Sequence, residues 1–413
     1  MNITITPSRL SGTVTPPPSK SQAHRLIISA ALAKGVSVIE GFSPCEDLYA
    51  TLRAVKVLGA SWKIVGSELH ISGISSYKAA ENELPRIDCG DSASTLRFMI
   101  PVALAVAGGG VFNGSQRLME RPLQPYFDLF QEKGIRYSLD DNVLTVRGCL
   151  TGGEYRLRGD VSSQFFSGLL LALPLLDAPG VIIPSGRLES SAYVTLTLHA
   201  LSEFGIQIPA TCSLLPQYHI PEHSLYHPCR ISVEKDWSQA AFWYAAAVLG
   251  NRVTVSGMTE ASFQGDRMIL DYAEEIRNGG SVRVDISGCP DLAPPLAIMG
   301  ALMDGELELV NAARLRLKES DRLRTITHSL AALGASVSEN EDSLTICGKP
   351  SLKGGVTVDC RNDHRIAMML AIAACRCEKP VTLLGAQCVN KSYPHFWQDY
   401  AALGGIIHEH TGK

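Results

Sequence analysis

Two kinds of helix alternate along this chain, and the pair recurs at a spacing of roughly 70 residues. The first helix of each pair is apolar on all sides and follows a polar, often charged cluster. The second is amphipathic, ends on a glycine and is followed by a strand. The apolar segments are SQAHRLIISAALAKG, STLRFMIPVALAVAGG, SSQFFSGLLLALPLL, WSQAAFWYAAAVLG, LAPPLAIMGALMDG and HRIAMMLAIAAC. The glycines are Gly59, Gly134, Gly205, Gly279, Gly334 and Gly404.

This alternation predicts which helices are buried. A helix that is apolar on all sides lies inside a protein, whereas an amphipathic helix covers a core from outside. Glycine ends the outer helix because it adopts the left-handed conformation without strain. Each unit therefore predicts a helix, a strand, a second helix, a strand, a turn and a strand. Six such units predict an α/β fold built from supersecondary repeats rather than a solenoid.

The six units divide naturally into two domains of three. A chain of 413 residues is expected to hold more than one domain. The segment 214–228, LLPQYHIPEHSLYHP, follows neither period and carries prolines, so it predicts the boundary. The prolines at 16–18 predict a second joint. We therefore expect one domain of residues 19–228 and another of residues 1–18 plus 229–413.

Composition is typical of a soluble enzyme. The chain is 46% hydrophobic and 19% charged, and its net charge of -4 gives no general attraction to nucleic acid or anionic membranes. The start MNITITPSRL lacks the pattern of a signal peptide, and no uncharged stretch reaches the roughly 20 residues that span a bilayer. Eleven cysteines without a CxxC pair predict neither disulfides nor a zinc knuckle. We expect a cytoplasmic monomer without nucleic-acid or membrane partners.

Three histidines invite a metal interpretation. A spacing of four between His219, His223 and His227 would place ligands on one helical face. Pro221 and Pro228 oppose a regular helix there, so we expect no metal site.

Charged and hydroxyl side chains are concentrated where the buried helices begin. They are Lys20, Ser21 and Arg25; Asp91, Ser92, Ser94 and Arg97; Ser162, Ser163 and Gln164; Asp236 and Gln239; Asp291; and Asn362, Asp363, His364 and Arg365. Any one cluster can be an ordinary helix cap. A cation in the first turn of a helix, however, is repelled by the helix dipole, which costs about 0.3–1 kcal/mol for each cation. A bound anionic ligand makes these cations favourable, because the backbone amides, the helix dipole and the cation then all attract the same negative group.

Further cations stand in loops that follow neither period. They are Arg121, Lys318, Arg322 and Lys391. A chain of net negative charge that concentrates cations in this way predicts a site for small, highly anionic ligands, with phosphates and carboxylates as the natural candidates.

Six segments, PSKSQAHR, ERPLQP, VSSQF, LKESDR, NDHRIAM and NKSYP, resemble the motifs of the 5-enolpyruvylshikimate-3-phosphate synthase family, in the family's order. Members of this family move a carboxyvinyl group from phosphoenolpyruvate to shikimate 3-phosphate. The resemblance implies a two-domain inverted α/β barrel with three repeats in each domain. It further implies an active site in the interdomain cleft, closure of the domains on their ligands, and no metal or organic cofactor.

The resemblance also assigns residues to each ligand. For phosphoenolpyruvate they are Lys20, Arg121, Gln164, Arg322, Arg365 and Lys391. For shikimate 3-phosphate they are Ser21, Arg25, Ser162, Ser163, Gln164, Ser190, Tyr193, Asp291 and Lys318. We expect Asp291 to act as the base on the acceptor hydroxyl and Glu319 to protonate and later deprotonate the methylene carbon. Lys20 and Lys391 are expected to assist at the departing phosphate.

The segment CGDSASTLR departs from the family pattern at two positions of the phosphoenolpyruvate site. Asp91 stands where the family commonly has Asn, and Ala93 where it commonly has Gly. An acid repels the anionic ligand unless Arg97, Lys20 or a helix start neutralises it. The methyl group of Ala93 predicts that the family inhibitor glyphosate, which fills that corner, binds more weakly than phosphoenolpyruvate.

Two alternatives stay open at this point. UDP-N-acetylglucosamine enolpyruvyl transferase shares the fold and the donor, but its loop usually carries a cysteine before an arginine-proline pair, and this chain reads GSQRLMERPLQ. A non-catalytic binder of an anionic metabolite is favoured by Asp91 and Ala93. The presence of both Asp291 and Glu319 argues against it.

Overall fold

The computed structural model of the chain describes residues 1–75, 83–211, 215–222 and 224–410. In these residues the α-helices are α1 (Lys20–Leu32), α2 (Glu46–Val57), α3 (Ala93–Ala107), α4 (Gln116–Met119), α5 (Gln124–Lys133), α6 (Gln164–Ala172), α7 (Ser191–Glu203), α8 (Trp237–Val248), α9 (Ile269–Asn278), α10 (Ala293–Gly300), α11 (Arg322–Ala332), α12 (His364–Ala374) and α13 (Phe396–Ala402). The strands are β1 (Asn2–Thr6), β2 (Ser11–Val14), β3 (Val36–Glu40), β4 (Ser61–Val65), β5 (Glu68–Ser72), β6 (Arg86–Asp88), β7 (Gly109–Asn113), β8 (Arg136–Asp140), β9 (Val143–Arg147), β10 (Gly153–Arg158), β11 (Gly180–Ser185), β12 (Tyr218–Ile220), β13 (Arg230–Ser232), β14 (Arg252–Val255), β15 (Gly280–Asp285), β16 (Gly305–Val310), β17 (Ser336–Glu339), β18 (Ser343–Cys347), β19 (Leu352–Gly354), β20 (Thr357–Asp359), β21 (Cys377–Lys379), β22 (Val381–Leu384) and β23 (Ile406–His410).

The chain divides into two compact units. Residues 18–234 form one, here called the continuous unit, and residues 1–17 with 235–413 form the other, the discontinuous unit. Residues 229–234, which we expected in the second domain, belong to the continuous unit. The physical reason is that β13 pairs in parallel with β3 and so extends a sheet of that unit.

One strand arrangement recurs in both units. A strand pairs in parallel with its neighbour, which then pairs antiparallel with the next strand of the sheet. In the continuous unit these sheets have the orders β13-β3-β5-β4, β6-β7-β9-β8 and β10-β11-β12, and in the discontinuous unit β15-β16-β18-β17 and β20-β22-β1-β23. The repeated α/β unit predicted from the sequence is therefore confirmed.

The third repeat departs from the prediction. We expected a strand directly after Gly205, but residues 206–209 form none. Pro209 has no N–H to donate to a ladder, and the next described residue, Ala210, forms an isolated bridge with Tyr218. The sheet is instead completed by β12, which pairs antiparallel with β11.

The inner and outer helices are the predicted ones. Every residue of α10 and α12 is buried, as is nearly all of α1 and α6. The amphipathic α9, in contrast, buries only Ile269, Ala273 and Ile276. Each unit has its own hydrophobic core around its apolar helices.

Within the described part of the chain, no helix combines the length and apolarity needed to cross a membrane. The same residues contain no group of three or more His, Cys, Asp or Glu side chains that could hold a metal ion. His219 lies in a strand rather than a helix, and His223 lies outside the described residues.

Candidate active site

Side-chain caps begin four of the buried helices. Ser19, Ser92, Asp236 and Asp363 each accept a hydrogen bond from a backbone amide of the first turn. The predicted ligands Lys20, Ala93 and Arg365 stand just beyond such caps. The capping role is therefore filled by their neighbours, and it does not account for the cations at these helix starts.

Arg25 is buried in the continuous unit without a carboxylate partner among the described residues. Its guanidinium donates to Oγ1 of Thr197 at 2.7 Å, to Oγ of Ser167 at 3.3 Å, and to the carbonyl oxygens of Ser21 at 2.5 Å and Tyr193 at 3.0 Å. Burial lowers the pKa of Arg25 to about 10, although the charge interaction with Tyr193 opposes this. A cation held only by neutral groups is costly to bury and is well placed to bind an anion.

Lys20, by contrast, is paired with a carboxylate. Its Nζ lies 2.6 Å from Oδ2 of Asp47, in the first turn of α2. This contact offsets the unfavourable position of a lysine in the first turn of α1. Asp47 was not among the predicted site residues, because nothing local to the EDLYA segment indicates a partner 27 residues away. Asp47 and Asp91 both line a cavity of about 470 Å³ in this unit.

Gln164 connects the starts of two buried helices. Its Oε1 accepts from Nη1 of Arg97 at 2.8 Å, and its Nε2 donates to Oγ of Ser94 at 2.9 Å. Its backbone amide donates to Oγ of Ser162 at 3.3 Å. The predicted ligand Gln164 is thus held in one orientation by side chains at the start of α3.

Three other predicted ligands occupy ends of elements in the same unit. Ser163 is buried at the N-cap of α6, where its side chain makes no cap hydrogen bond. Ser190 begins α7 with a φ of 54°, in the left-handed region. Such backbone costs a non-glycine residue of order 1 kcal/mol or more and concentrates at functional sites. Arg121 follows the short helix α4.

Asp291 is the centre of a charge cluster in the discontinuous unit. It lies in a 3-10 turn, Pro290–Leu292, directly before α10. Its Oδ1 is 2.9 Å from Nη1 of Arg322 and 3.3 Å from Nζ of Lys318, and its Oδ2 is 2.9 Å from Nη2 of Arg365. Burial raises the pKa of Asp291, but the three cations outweigh it and hold the pKa well below its usual value. Asp291 is therefore ionised.

Arg322 is fully buried and contacts two further carboxylates. Its Nε lies 3.0 Å from Oδ2 of Asp363, and its Nη2 lies 2.6 Å from Oε2 of Glu319. Asp363 is also fully buried, and it accepts from Oγ of Ser320 at 3.0 Å as well as from the backbone amide of Arg365. Burial lowers the pKa of Arg322, but the surrounding acids raise it above its ordinary value.

Asp363 and Ser238 are positioning residues that were not among the predicted ligands or catalytic groups. Asp363 orients Arg322, and Oγ of Ser238 accepts from Nη2 of Arg365 at 3.0 Å. The place of Asp363 two residues before Arg365 was a usable signal. Ser238 had none, because its partner is 127 residues away.

Two lysines complete the set of predicted ligands in the discontinuous unit. Burial lowers the pKa of Lys318 to about 8, against the opposing effect of Asp291. Nζ of Lys391 donates to the carbonyl oxygen of Asn362 at 2.8 Å. Asn362 and Arg361 both have left-handed backbone, with φ of 53° and 52°. The strained loop before α12 therefore presents a carbonyl group to Lys391.

This arrangement can perform acid-base chemistry on an anion. Asp291 and Glu319 contact the same guanidinium, that of Arg322, so two carboxyl groups are available close together. One can accept a proton while the other donates one, and the adjacent cations stabilise developing negative charge.

Comparisons with known proteins agree with the motifs. The sequence model of the family described as EPSP synthase (3-phosphoshikimate 1-carboxyvinyltransferase) matches residues 5–400. A protein of Clostridium botulinum (strain Eklund 17B / Type B) named 3-phosphoshikimate 1-carboxyvinyltransferase is 42% identical, over 98% of this chain and 98% of the relative. One of Clostridioides difficile (strain 630) with the same name is 40% identical over 99% and 98%.

Solved structures extend the similarity to the fold. EPSP synthase from Acinetobacter baumannii aligns over 100% of both chains with a TM-score of 0.80 and 22% identity. The enolpyruvyl transferase NikO from Streptomyces tendae aligns over 100% of this chain and 99% of its own, with a TM-score of 0.79 and 18% identity. At these identities the likeness concerns the fold alone.

Proposed function

The chain belongs to the EPSP synthase family, and we propose that it transfers the carboxyvinyl group of phosphoenolpyruvate to the 5-hydroxyl of shikimate 3-phosphate, with release of phosphate. The observation that carries this proposal is the contact of two carboxylates with one buried guanidinium. Asp291 and Glu319 lie 2.9 and 2.6 Å from the nitrogens of Arg322.

The reaction needs one group to donate a proton and another to accept one. Glu319 first takes up a proton from solvent. The 5-hydroxyl then attacks C2 of phosphoenolpyruvate and loses its proton to Asp291, while C3 gains the proton carried by Glu319. The product is a tetrahedral intermediate that still carries the phosphate. Glu319 then removes a proton from the methyl carbon as the C2–O bond to phosphate breaks, which restores the double bond.

The cations account for the negative charges of the two substrates. Each substrate carries a phosphate and a carboxylate, and the planar fork of arginine binds such groups at two points. Arg322, Arg365 and Lys391 of the discontinuous unit would hold the donor, together with Lys20, Arg121 and Gln164 of the continuous unit. Arg25, the serines and Tyr193 would hold the acceptor, with Lys318 and Asp291. That both sets act on one pair of substrates stays a prediction, which variants in each unit test separately.

Phosphate release tests the proposal directly. The protein is mixed with phosphoenolpyruvate and, in parallel reactions, with shikimate 3-phosphate, with UDP-N-acetylglucosamine or with no acceptor. We expect phosphate only with shikimate 3-phosphate, together with an equal amount of the carboxyvinyl product by mass spectrometry. Release with UDP-N-acetylglucosamine would assign the alternative transferase activity. No release with either acceptor, despite binding of an anion, would make the protein a non-catalytic binder.

A further inference from the structure

Asp291 occupies a position that suits an anionic ligand group. One of its oxygens contacts Arg322 and the other contacts Arg365, each at 2.9 Å, so the carboxylate bridges two guanidiniums. Proteins hold ligand carboxylates and phosphates in the same way. Both arginines are also among the residues assigned to phosphoenolpyruvate.

We infer that Asp291 competes with the donor for Arg322 and Arg365, and that donor binding displaces it and thereby frees it to act as the base. This inference rests on the proposed function, which supplies the identity of the donor. In the structure Asp291 lies against two buried cations, Arg322 and Arg365, which are 0% and 5% exposed. An exchange of one anion for another preserves the negative charge beside these two buried cations, whose loss would be strongly unfavourable.

The neighbouring carboxylate Asp363 shows why Asp291 is the one that moves. Asp363 is 0% exposed and accepts from Arg322, from Ser320 and from the backbone amide of Arg365, so it is fixed in place. Asp291 is 18% exposed and is carried by a short 3-10 turn. Arg322 therefore stays anchored by Asp363 while its Nη1 changes partner.

The exchange also explains how a strongly paired carboxylate becomes a base. While three cations surround it, Asp291 has a pKa well below its ordinary value and is a weak proton acceptor. When the donor takes over contacts with Arg322 and Arg365, the pKa of Asp291 rises. The base is then most effective when the donor is bound.

Calorimetric titration of phosphoenolpyruvate, without any acceptor, tests the competition. Asp291→Asn removes the charge and keeps the shape, and we expect it to bind phosphoenolpyruvate roughly tenfold or more tightly than the wild type. Asp291→Glu keeps the charge and should bind like the wild type. Glu154→Gln, which changes net charge equally at an exposed ion pair, is the control and should also bind like the wild type. Equal or weaker binding by Asp291→Asn overturns the inference.

A second variant and probe keep the test decisive if Asp291→Asn does not fold. Glu319→Gln removes the charge of another carboxylate from Arg322, and we expect it to tighten binding by a smaller factor. Inorganic phosphate should raise the unfolding temperature of Glu319→Gln, and of Asp291→Asn if it folds, more than that of the wild type. An equal rise would count against the competition.

Failure of this inference differs from failure of the proposed function. A wild type that releases phosphate from both substrates, together with an Asp291→Asn variant of unchanged donor affinity, refutes only the competition. A wild type that releases no phosphate refutes the function, and the phosphate titrations still decide whether Asp291 competes with anions.

Discussion

Arg25 and Arg322 are both buried arginines, yet their surroundings are opposite. Arg25 is held by hydroxyl and carbonyl groups, and burial lowers its pKa to about 10. Arg322 contacts Asp291, Glu319 and Asp363, and these acids raise its pKa despite its burial. Among the described residues the continuous unit supplies no carboxylate to Arg25, whereas the discontinuous unit supplies three carboxylates to Arg322.

The presence or absence of carboxylate partners changes how strongly a buried arginine attracts an anionic ligand. A cation without a carboxylate partner opposes folding and contributes its full attraction to an anionic ligand. A cation within a buried carboxylate cluster compensates the charge of those carboxylates, and a ligand must displace an internal anion to reach it. The carboxylates that reduce its attraction are also the groups that can transfer protons.

The largest expected effect comes from removing a proton-transfer group from the carboxylate cluster. Glu319→Gln should lower turnover by roughly 10²- to 10⁴-fold, because general acid-base catalysis contributes about that much. Affinity for shikimate 3-phosphate should stay near that of the wild type, since Glu319 is not assigned to that ligand. Steady-state rates of phosphate release and calorimetric titration of the acceptor measure the two quantities. Wild-type turnover would remove Glu319 from the mechanism.

Removal of the anchoring carboxylate should destabilise the discontinuous unit. Asp363→Ala takes from Arg322 its fully buried partner and removes the cap of α12. Breaking a buried ion pair from one side costs about 3–5 kcal/mol, and denaturant unfolding measures the loss. Glu154→Ala, at an exposed pair with Arg156, should leave the free energy of unfolding nearly unchanged. A similar effect of both variants would contradict the assignment of Asp363 as an anchor.

Matched substitutions of the two arginines test the comparison itself. Arg25→Met should reduce affinity for shikimate 3-phosphate by roughly ten- to a hundredfold. Its stability should be unchanged or higher, because Thr197 and Ser167 remain hydrogen bonded to each other at 2.7 Å. Arg322→Met should be strongly destabilising, since it leaves buried carboxylates unpaired. Thermal unfolding of both variants is the measurement, and equal destabilisation would refute the contrast.

A change of shape without a change of charge should have a smaller effect. Ala93 is buried at the first position of α3. Ala93→Gly removes the methyl group and should tighten glyphosate inhibition by about 1 kcal/mol or more, the worth of one methyl group in a close-fitting site. The KM for phosphoenolpyruvate should change less. Inhibition curves at fixed phosphoenolpyruvate compare the two proteins, and superimposable curves would refute the role of Ala93.

Periodicity predicted the repeats well, because helix burial depends on local sequence. The apolar α10 and α12 are buried as expected, and the amphipathic α9 is not. The lack of a strand at residues 206–209 and the division of the two units after residue 234 depend on strand pairing over long distances, which local sequence patterns do not encode.

The candidate site was predictable to a lesser extent. Clustered cations indicated anionic ligands, and the motifs indicated which ligands. No local pattern indicates that Asp47 pairs with Lys20, or that Thr197 and Ser167 surround Arg25. Such partners are brought together only by packing of separate helices.

Lys318 has surroundings intermediate between those of Arg25 and Arg322, because it has a carboxylate partner that only partly offsets its burial. Its titration therefore tests the comparison on the smallest scale. It pairs with Asp291 at 3.3 Å, yet burial lowers its pKa to about 8. The charged groups that act on it are Asp291, Arg322, Glu319 and Arg314. The carboxylates in this set only partly compensate the burial. Lys318 therefore loses its proton as the pH rises through about 8, whereas both arginines stay charged.

Binding of the acceptor should weaken as Lys318 loses its proton. The phosphate of shikimate 3-phosphate is already doubly ionised above pH 7.5, because its second pKa is about 6. Between pH 7.5 and 8.5 the protonated fraction of Lys318 falls roughly threefold, and the KM for the acceptor should rise by about that factor. Lys318→Arg keeps its charge over this range, so its KM should stay level. Steady-state kinetics across the range compare the two proteins. A parallel rise of KM in both proteins would assign the titration to another group. It would also mean that the carboxylates near Lys318 fully offset the effect of burial on its pKa.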